Sequence, residues 1–576
     1  MVKLLRYVKG WAKIFAVIAP IFMSLEVSMD LMQPKLMADI IDVGVASGNI
    51  EYVFATGGKM IVIAMIGILG GAGCSIFSSM AAMNMGQELR EDMFSKIQKL
   101  SFKEIDEFKT SSLITRLTND VNQFQTMFLM AMRIVVRAPL LGIGGIIMAV
   151  NLSKGLSRIF LVIIPIMVIG VLLIMKKSFV LFSKVQKKID KVNIVMRENI
   201  LGVRVIKAFS MEKKQEEKFY KVNDELMDAN IKAQNMNIIL WPVVTVIMNF
   251  SVVAILWFGG HLVHTGDIEI GRIMAFINYL IQIMNSLLMV IMIALNFSRA
   301  KASADRINEV LDAKSSLEES KNPKEPNGYD IEFKNVFFRY NNEGDYVLKN
   351  INFKVQSGEK IGIIGTTGAG KSSLISLIPR LYDVCHGEIL LGGVDIRDIP
   401  IKKLRKHMGV VLQESILFSG TIEENLKFGK EDITNDELEN GAKDSQCYEF
   451  IMNKDGAFNG EVEQRGKNLS GGQKQRLSIG RTIIKDPKIL IMDDSTSALD
   501  MATEAKVQRS VKNRMKDSTM IIIAQRISAI MDLDKIIVLD NGEISDLGTH
   551  KELLQRNDIY RSIAISQLGE EVLFNE

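Results

Sequence analysis

The sequence predicts a multidomain membrane protein in which an all-α transmembrane domain of six helices precedes an α/β domain with a P-loop. Three observations predict this fold class: long apolar runs in the first half, β-branched runs alternating with helical patterns in the second, and a glycine-rich motif after one such run. Of the 576 residues, 48% are hydrophobic and 24% are charged. The apolar stretches of membrane-spanning length exclude a wholly soluble protein, and the abundant charge with clear helical periodicity excludes a disordered one. The net charge of +4 is too balanced to indicate a nucleic-acid partner.

Six runs are long enough to cross about 30 Å of hydrocarbon. They lie near residues 12–34, 60–83, 132–152, 158–176, 239–262 and 273–297. Lysine and arginine are enriched before the first run and in segments 84–131 and 177–238, which predicts that both termini and both segments are cytosolic. Apolar residues recur at helical spacing in these segments, so the membrane helices are predicted to continue into the cytosol as two long hairpins. Short turns near 101–109 and 202–209 are expected at their tips.

Two charged pairs lie inside the predicted spans. Glu26 and Asp30 are four residues apart, as are Arg133 and Arg137, so each pair shares one helix face. Charged groups in a span usually face a cavity or a partner, which makes a substrate path the first hypothesis. The alternatives are an interfacial position for Asp30 and, for the arginines, snorkelling or pairing with an acid.

A P-loop follows the apolar strand predicted over residues 361–364 and opens a helix at Ser373, which is the context that this motif requires. The motif G-x4-G-K-S consists of Gly365, Thr366, Thr367, Gly368, Ala369, Gly370, Lys371 and Ser372. Its glycines let backbone N–H groups approach phosphate oxygens, Lys371 reaches the terminal phosphates, and Ser372 is a ligand for Mg²⁺. A polar stretch with Pro323 and Pro326 separates this half from the membrane half. We therefore predict a transmembrane domain over 1–312, a linker over 313–330 and a nucleotide-binding domain over 331–576.

Two further motifs define the family. A buried strand over residues 489–492 ends in Asp493, the position at which P-loop enzymes complete the Mg²⁺ shell. Between the P-loop and this strand stands the sequence LSGGQ, formed by Leu469, Ser470, Gly471, Gly472 and Gln473. With both nucleotide motifs in this order, the chain resembles the ATP-binding cassette (ABC) transporters, and its six spans on one chain resemble an exporter-type half-transporter.

The resemblance implies roles for further residues. Tyr340 matches the aromatic residue that stacks on adenine, and Gln413 matches the glutamine that senses Mg²⁺ and the membrane domain. Residues 495–500, STSALD, match the loop that crosses the dimer interface, and the two hairpin tips match the family's coupling helices. In this family two cassettes dimerise head to tail, so that each ATP lies between one chain's P-loop and the other chain's signature.

Three places depart from the family pattern. One lies just before the signature, where residues 462–466 read VEQRG and the family often has VGERG. The other two are in the ATP site. Hydrolytic cassettes carry a glutamate after the aspartate of the buried strand, whereas this chain has Asp494, and the switch histidine is replaced by Gln525. A carboxylate that is one methylene shorter is withdrawn by about 1 Å, and such a misplacement can cost about 10²-fold in rate. A glutamine donates a hydrogen bond but cannot carry an imidazolium charge. The site is therefore predicted to hold ATP with Mg²⁺ and to hydrolyse it slowly.

The intact signature predicts a partner whose own glutamate and histidine act against Ser470. The resemblance then implies a heterodimeric exporter of amphipathic drugs, lipids or peptides. We place it in a plasma membrane, the cytoplasmic membrane of a bacterium, in contact with lipid and with the nucleotide-binding domain in the cytoplasm. Three alternatives stay open: a slow homodimeric exporter, an importer with the exporter fold, and a regulator or channel gated by ATP.

Overall fold

The computed structural model describes residues 1–341, 343–430 and 432–569, and of residues 291, 292, 294 and 295 only the backbone. The predicted domain 331–576 thus includes positions 342, 431 and 570–576, which lie outside the described residues. The chain divides into two compact units. The first comprises Met1–Gln98 and Ser111–Asp312, and the second comprises Lys99–Thr110 and Ala313–Glu576. Residues 99–110, part of the predicted transmembrane domain, therefore cluster with the second unit.

The first unit is helical. After a 3-10 helix over Val2–Tyr7, its α-helices are α1 (Trp11–Asp39), α2 (Ile50–Ile97), α4 (Thr110–Thr115), α5 (Val121–Leu152), α6 (Lys154–Ser157), α7 (Phe160–Leu201), α8 (Val203–Ala208), α9 (Glu212–Ile238), α10 (Leu240–His264) and α11 (Ile270–Asp312). Helix α3 (Phe102–Phe108) belongs to the second unit. π-helical turns extend α1 over Ile40–Val45 and join α4 to α5 over Arg116–Asp120.

The structure confirms the predicted all-α transmembrane domain with six spanning helices. Among the described residues, six helical stretches are long and apolar enough to cross a membrane. They are Trp11–Val45, Ile50–Gln98, Thr110–Leu152, Lys154–Leu201, Glu212–His264 and Ile270–Val290. Several are far longer than the roughly 20 residues that a bilayer requires. This excess length forms the helical extensions that the sequence predicts beyond the membrane.

Small residues let α1 and α2 pack closely. Gly70 of α2 is buried, and a Cβ atom there would lie 3.0 Å from the carbonyl oxygen of Phe22. At Gly73 a Cβ atom would lie 2.5 Å from the Phe22 ring. Contacts between backbones at this range are the means by which helices associate in lipid, where no hydrophobic effect drives them together.

The charged side chains of the spans pair with one another. Arg137 of α5 forms ion pairs with both acids of α1, at 2.8 Å from Asp30 and with direct contact to Glu26. Arg133, one turn earlier, donates hydrogen bonds to the hydroxyls of Ser78 and Ser79 on α2 at 2.7 and 2.9 Å. Pairing of an arginine with an acid, which the sequence analysis kept as an alternative to a substrate path, is therefore observed for Arg137.

The second unit contains the predicted α/β domain. Its strands are β1 (Ile331–Phe338), β2 (Leu348–Val355), β3 (Lys360–Gly365), β4 (His386–Leu391), β5 (Val394–Asp395), β6 (Met408–Val411), β7 (Gly420–Thr421), β8 (Glu461–Val462), β9 (Ile489–Asp493), β10 (Thr519–Ile523), β11 (Lys535–Asp540) and β12 (Glu543–Gly548). Its later helices are α12 (Lys371–Leu377), α13 (Ile401–Lys406), α14 (Ile422–Lys427), α15 (Asn435–Asp444), α16 (Tyr448–Met452), α17 (Gly471–Ile484), α18 (Met501–Arg514), α19 (His550–Arg556) and α20 (Asp558–Leu568). Single 3-10 turns lie at Ala457–Asn459, Gln464–Gly466 and Ile527–Ala529.

A six-stranded sheet in the order β12-β11-β3-β10-β9-β6 forms the centre of this domain. Its five strands β11, β3, β10, β9 and β6 are parallel, and only β12 pairs antiparallel. All five residues of β9 and of β10 are buried, as expected for parallel strands covered on both faces. A four-stranded antiparallel sheet, β2-β1-β4-β5, packs into the same core as the face of β3 that carries Ile361 and Ile363.

Candidate functional site

The carboxyl ends of four neighbouring parallel strands meet at one edge of the central sheet. There the P-loop follows β3, Gln525 follows β10, Asp493 ends β9, and Gln413 follows β6. Ligands of open α/β sheets bind outside these carboxyl ends. A cavity of about 480 Å³ lies at this edge. Its lining consists of Val347, Ile364, Gly365, Thr366, Thr367, Gly368, Gly370, Lys371, Ser372, Ser373, Gln413, Asp493, Asp494, Ile523, Gln525, Ile563 and Gln567.

The P-loop backbone requires glycine at several points, of which two adjoin the strand and the helix. A Cβ atom on Gly365 would lie 2.0 Å from the carbonyl oxygen of Leu539 on the neighbouring strand. Gly370 has φ +98°, a left-handed conformation that other residues rarely adopt, and it directly precedes α12. The loop therefore places the first N–H groups of a helix beside the cavity, where they favour an anion.

Lys371 folds back over its own loop. Its Nζ donates hydrogen bonds to the carbonyl oxygens of Gly365 and Thr366 at 2.9 and 2.8 Å. Burial lowers the pKa of Lys371, against the opposing effects of the charges on Asp493 and Asp494. The carbonyl groups that bind this half-buried ammonium are neutral. A phosphate in the cavity would give it an anionic partner and therefore a stronger hydrogen bond.

Asp493 is suited to hold a cation together with Ser372. Only 6% of Asp493 is exposed, and the Ser372 hydroxyl donates a hydrogen bond to its carboxylate. Burial raises the pKa of Asp493, and the Ser372 hydrogen bond and the Lys371 charge act in the opposite direction. Gln413 adds an amide oxygen at the same cavity. Carboxylate, hydroxyl and amide oxygens are the donors that Mg²⁺ prefers, so these residues fit the predicted ion.

The two residues that depart from the family pattern contact each other. The Nε2 group of Gln525 donates a hydrogen bond to Asp494 Oδ2 at 2.8 Å. Burial raises the pKa of Asp494, and the nearby charges of Asp493 and Glu504 raise it further. One carboxylate oxygen of Asp494 is therefore already engaged by an amide within the cavity.

Tyr340 and Ala369 are the predicted binding residues that do not line this cavity. Ala369 is buried inside the P-loop, with 2% exposure. The Tyr340 hydroxyl is 2.8 Å from the hydroxyl of Ser373, and its ring stands edge-on to that of Tyr382, with centroids 5.2 Å apart. Tyr340 is 40% exposed, which leaves ring surface free beside the P-loop for a planar ligand.

The signature residues lie apart from the cavity, at the start of α17. Ser470 is the N-cap of this helix: its hydroxyl accepts a hydrogen bond from the N–H of Gln473, and the Gln473 side chain accepts one from the N–H of Ser470. Gln475 of the same helix holds residues 495–500, since it contacts Ser497 Oγ at 3.2 Å and the N–H of Ala498 at 2.9 Å. Signature and loop 495–500 thus form one hydrogen-bonded surface of the domain.

The first hairpin tip is a short helix that packs on the cassette within the second unit. Helix α3 starts with a capping box between Ser101 and Glu104, and Glu104 also accepts a hydrogen bond from the N–H of Ser316 at 3.1 Å. The Tyr382 hydroxyl donates a hydrogen bond to Asp106 at 2.6 Å. The second tip is likewise a helix, α8. The residue pattern alone predicts short turns at both tips, whereas the family resemblance implies helices.

Four lining residues are absent from the sequence analysis: Val347, Ile523, Ile563 and Gln567. Val347 precedes β2, Ile523 ends β10, and the other two lie on α20 near the end of the described chain. No motif marks Ile563 and Gln567, because they reach the cavity through the packing of a helix more than 180 residues after the P-loop. The amphipathic pattern of α20 could have indicated that this helix packs against the domain. It could not have indicated which of its side chains reach the nucleotide motifs.

Fold and site together define a membrane transporter powered by an ATP-binding cassette. Residues 17–287 match the family model of the ABC transporter transmembrane region, and residues 348–497 match that of the ABC transporter ATP-binding domain. The chain belongs to the ABC transporter family. It is a multi-pass membrane protein of the exporter type that binds ATP and couples ATP hydrolysis to transport.

Two relatives from Bacillus subtilis (strain 168) match over most of their length. The uncharacterised ABC transporter ATP-binding protein YfiB is 39% identical over 99% of both chains. The putative multidrug export ATP-binding/permease protein YgaD is 33% identical over 84% of both chains. Among solved structures, a bacterial Atm1-family ABC exporter with ATP bound matches 96% of this chain and 98% of its own, at 25% identity and a TM-score of 0.80.

Proposed function

We propose that this chain is one subunit of a heterodimeric exporter of amphipathic compounds and that its own site holds ATP and hydrolyses it slowly. One observation carries this proposal: Asp494 and Gln525 are hydrogen-bonded to each other in a cavity whose residues for holding phosphate and Mg²⁺ are otherwise intact. The alternatives of a slow homodimer, an importer and an ATP-gated regulator are outcomes of the tests below.

The chemistry at these positions favours slow hydrolysis. The attacking water needs a carboxylate that orients it. Asp494 is one methylene too short for this, and one of its oxygens already accepts a hydrogen bond from Gln525. A displacement of about 1 Å from the reacting atoms can cost about 10²-fold in rate. In place of a histidine, Gln525 offers a neutral amide to the terminal phosphate, which stabilises developing negative charge less than a cation does.

The binding residues support retention of ATP at this site. Lys371 and the N–H groups of the P-loop would hold the phosphates, and Tyr340 would stack on the adenine. Ser372, Gln413 and Asp493 would hold Mg²⁺, which neutralises phosphate charge when it is bound. Their side chains converge on one cavity, except for Tyr340 beside it.

The intact signature supports the heterodimer. Ser470 and Gly472 would act on the ATP held by the P-loop of a partner that carries the glutamate and the histidine. Closure of the two cassettes on ATP would move the coupling helices α3 and α8 and, through them, the membrane helices. The name of the relative YgaD, a putative multidrug exporter, supports drugs as substrates, and the bacterial relatives support a cytoplasmic membrane.

The decisive experiment compares the ATPase activity of the purified chain with that of the chain copurified with the product of a neighbouring gene for a second six-span cassette protein. We expect the single chain to be nearly inactive and the pair to be active, with loss of activity on Ser470→Arg. Gln555→Arg, at an exposed position of α19, is the control for an added cation and should leave the activity unchanged. Brisk hydrolysis by the chain alone would overturn the slow site and favour the homodimer.

A further inference from the structure

Helix α20 contributes two side chains to the ATP cavity. Ile563 and Gln567 line it together with the P-loop residues. The helix itself is fixed by the core, because Tyr560 and Ala564 are fully buried in the same cluster as Ile527. Gln567 therefore reaches the cavity from a rigid element of the domain.

The Gln567 amide is hydrogen-bonded to the main chain at two points of the switch segment, residues 525–527. Its Nε2 donates to the carbonyl oxygen of Gln525 at 2.7 Å, and its Oε1 accepts from the N–H of Ile527 at 2.8 Å. A primary amide offers a donor and an acceptor in one plane, so a single side chain fixes both peptide groups.

The residue between these two points is fixed from the other side. Arg526 pairs with the buried Glu504 of α18 at 2.7 Å. Glu504 in turn accepts a hydrogen bond from Thr496 at 2.6 Å, within the loop 495–500. The switch segment is thus held between α18 and α20, and the side chain of Gln525 extends from it to Asp494.

We propose that Gln567 is a positioning residue for Gln525: it holds the main chain of the switch segment so that the Gln525 amide stays on Asp494 and at the nucleotide. This inference rests on one part of the proposed function, namely that this site retains ATP. It adds that helix α20 sets the time for which ATP stays bound, through a residue that belongs to none of the nucleotide motifs.

The test measures the dissociation of a fluorescent ATP analogue, methylanthraniloyl-ATP, from the full-length chain in detergent by stopped flow. Gln567→Ala is expected to raise the dissociation rate about three- to tenfold, the range expected for the loss of one hydrogen bond. Gln555→Ala removes the same side chain from an exposed position of α19 and should leave the rate unchanged.

A double-mutant cycle separates positioning from general destabilisation. If Gln567 acts through Gln525, Gln567→Ala has no further effect on the rate in a Gln525→Ala background. Gln567→Met keeps the length of the side chain without adding a charge but makes neither hydrogen bond, and it should raise the rate as Gln567→Ala does. This variant also serves if Gln567→Ala fails to fold.

The outcomes distinguish the two proposals. An equal increase from Gln567→Ala in both backgrounds, or no increase in either, would overturn the positioning role and leave the proposed function intact. A lack of saturable binding to the unaltered chain would overturn the proposed ATP-retaining site, and with it this inference. Rapid hydrolysis by the chain alone would contradict the proposed slow turnover, but it would not affect the result of the double-mutant cycle.

Discussion

Asp494 has a main-chain conformation that suits its side chain. Its φ is 44°, in the left-handed region where aspartate and asparagine are enriched among residues other than glycine. A glutamate at this position has the longer reach that hydrolysis needs but fits this conformation less readily. Restoring the family pattern therefore changes the backbone preference as well as the position of the carboxylate.

The first prediction concerns recovery of hydrolysis. Asp494→Glu combined with Gln525→His should raise ATP hydrolysis by the purified chain, by up to about 10²-fold, because the carboxylate regains its reach and the imidazole regains its charge. Phosphate release measures the rate. Adding Lys371→Ala to this variant should abolish the gain, and an unchanged rate in the double variant would contradict our interpretation of the site's geometry.

The second prediction follows from the pKa of Asp494. Burial and neighbouring acids raise this pKa, so the folded chain binds the proton more tightly than the unfolded chain. Ionised Asp494 thus destabilises the fold above its raised pKa, and this cost disappears below the ordinary value near 3.9. Asp494→Asn should raise the unfolding temperature of the nucleotide-free protein at pH 7, and the gain should shrink as the pH falls.

Asp500 provides a control of opposite sign. Hydrogen bonds from Thr503 lower its pKa, so ionised Asp500 stabilises the fold above the ordinary pKa and this contribution is lost as the pH falls. Asp500→Asn should therefore lower the unfolding temperature at pH 7. A fall in the unfolding temperature for Asp494→Asn as well would contradict the direction assigned to Asp494.

At the scale of elements, the signature serine has a structural role in addition to the one proposed at the partner's ATP. It caps α17 through a capping box, and so does Thr434 for α15. The third prediction is that Ser470→Ala and Thr434→Ala each lower the free energy of unfolding by about 1 kcal/mol, the usual loss for a cap. Only Ser470→Ala should also lower the ATPase activity of the pair; equal activities would contradict the second role.

The fourth prediction concerns α1 and α5. Arg137→Ala leaves Glu26 and Asp30 without their cation inside the membrane domain, and breaking such a pair costs about 3–5 kcal/mol. The unfolding temperature in detergent should fall accordingly. The triple variant Arg137→Met, Glu26→Gln, Asp30→Asn removes all three charges and should recover most of the loss. A failure of Arg137→Ala to destabilise would contradict a structural role for the pair.

The elements that the sequence predicts correctly are those with local signals. Six apolar runs give six spanning helices, and the P-loop stands between β3 and α12 as its motif predicts, with glycines at the positions where other residues would be strained. At the hairpin tips the residue pattern predicts turns and only the family resemblance implies helices, although Ser101 and Glu104 form the S-x-x-E pattern of a helix start. Gln567 could not be predicted, because its contacts with the switch segment depend on how α20 packs.

At the scale of the molecule, apolar surface distinguishes the spanning helices. Large side chains on them are widely exposed, such as Trp257 at 78% and Leu161 and Phe54 at 76%. Folded soluble proteins rarely leave such surface open to water, so these faces are the ones that lipid covers. The sequence predicts this division from hydropathy alone, since both the runs and their lengths are local properties.

The fifth prediction addresses the assembled pair. Lys371→Ala should leave membrane insertion and copurification with the partner unchanged, because Lys371 lies inside the ATP cavity. The ATP retained per pair after rapid gel filtration should fall by well over half, since this site is the one that keeps its ATP while the partner's competent site hydrolyses its own. Gln555→Ala is the matched surface control, and an unchanged ATP content would contradict retention of ATP by this chain.

The edge of the central sheet at which β3, β10, β9 and β6 end has a consequence for how this chain tolerates substitution. Each strand is held by its own ladder of backbone hydrogen bonds, while the residue that does the chemistry comes at or just after the strand's last position. Exchanging a side chain such as Asp494 or Gln525 therefore leaves the ladders untouched. An ATPase built in this way can lose its turnover through two substitutions and remain a fully folded, nucleotide-responsive subunit.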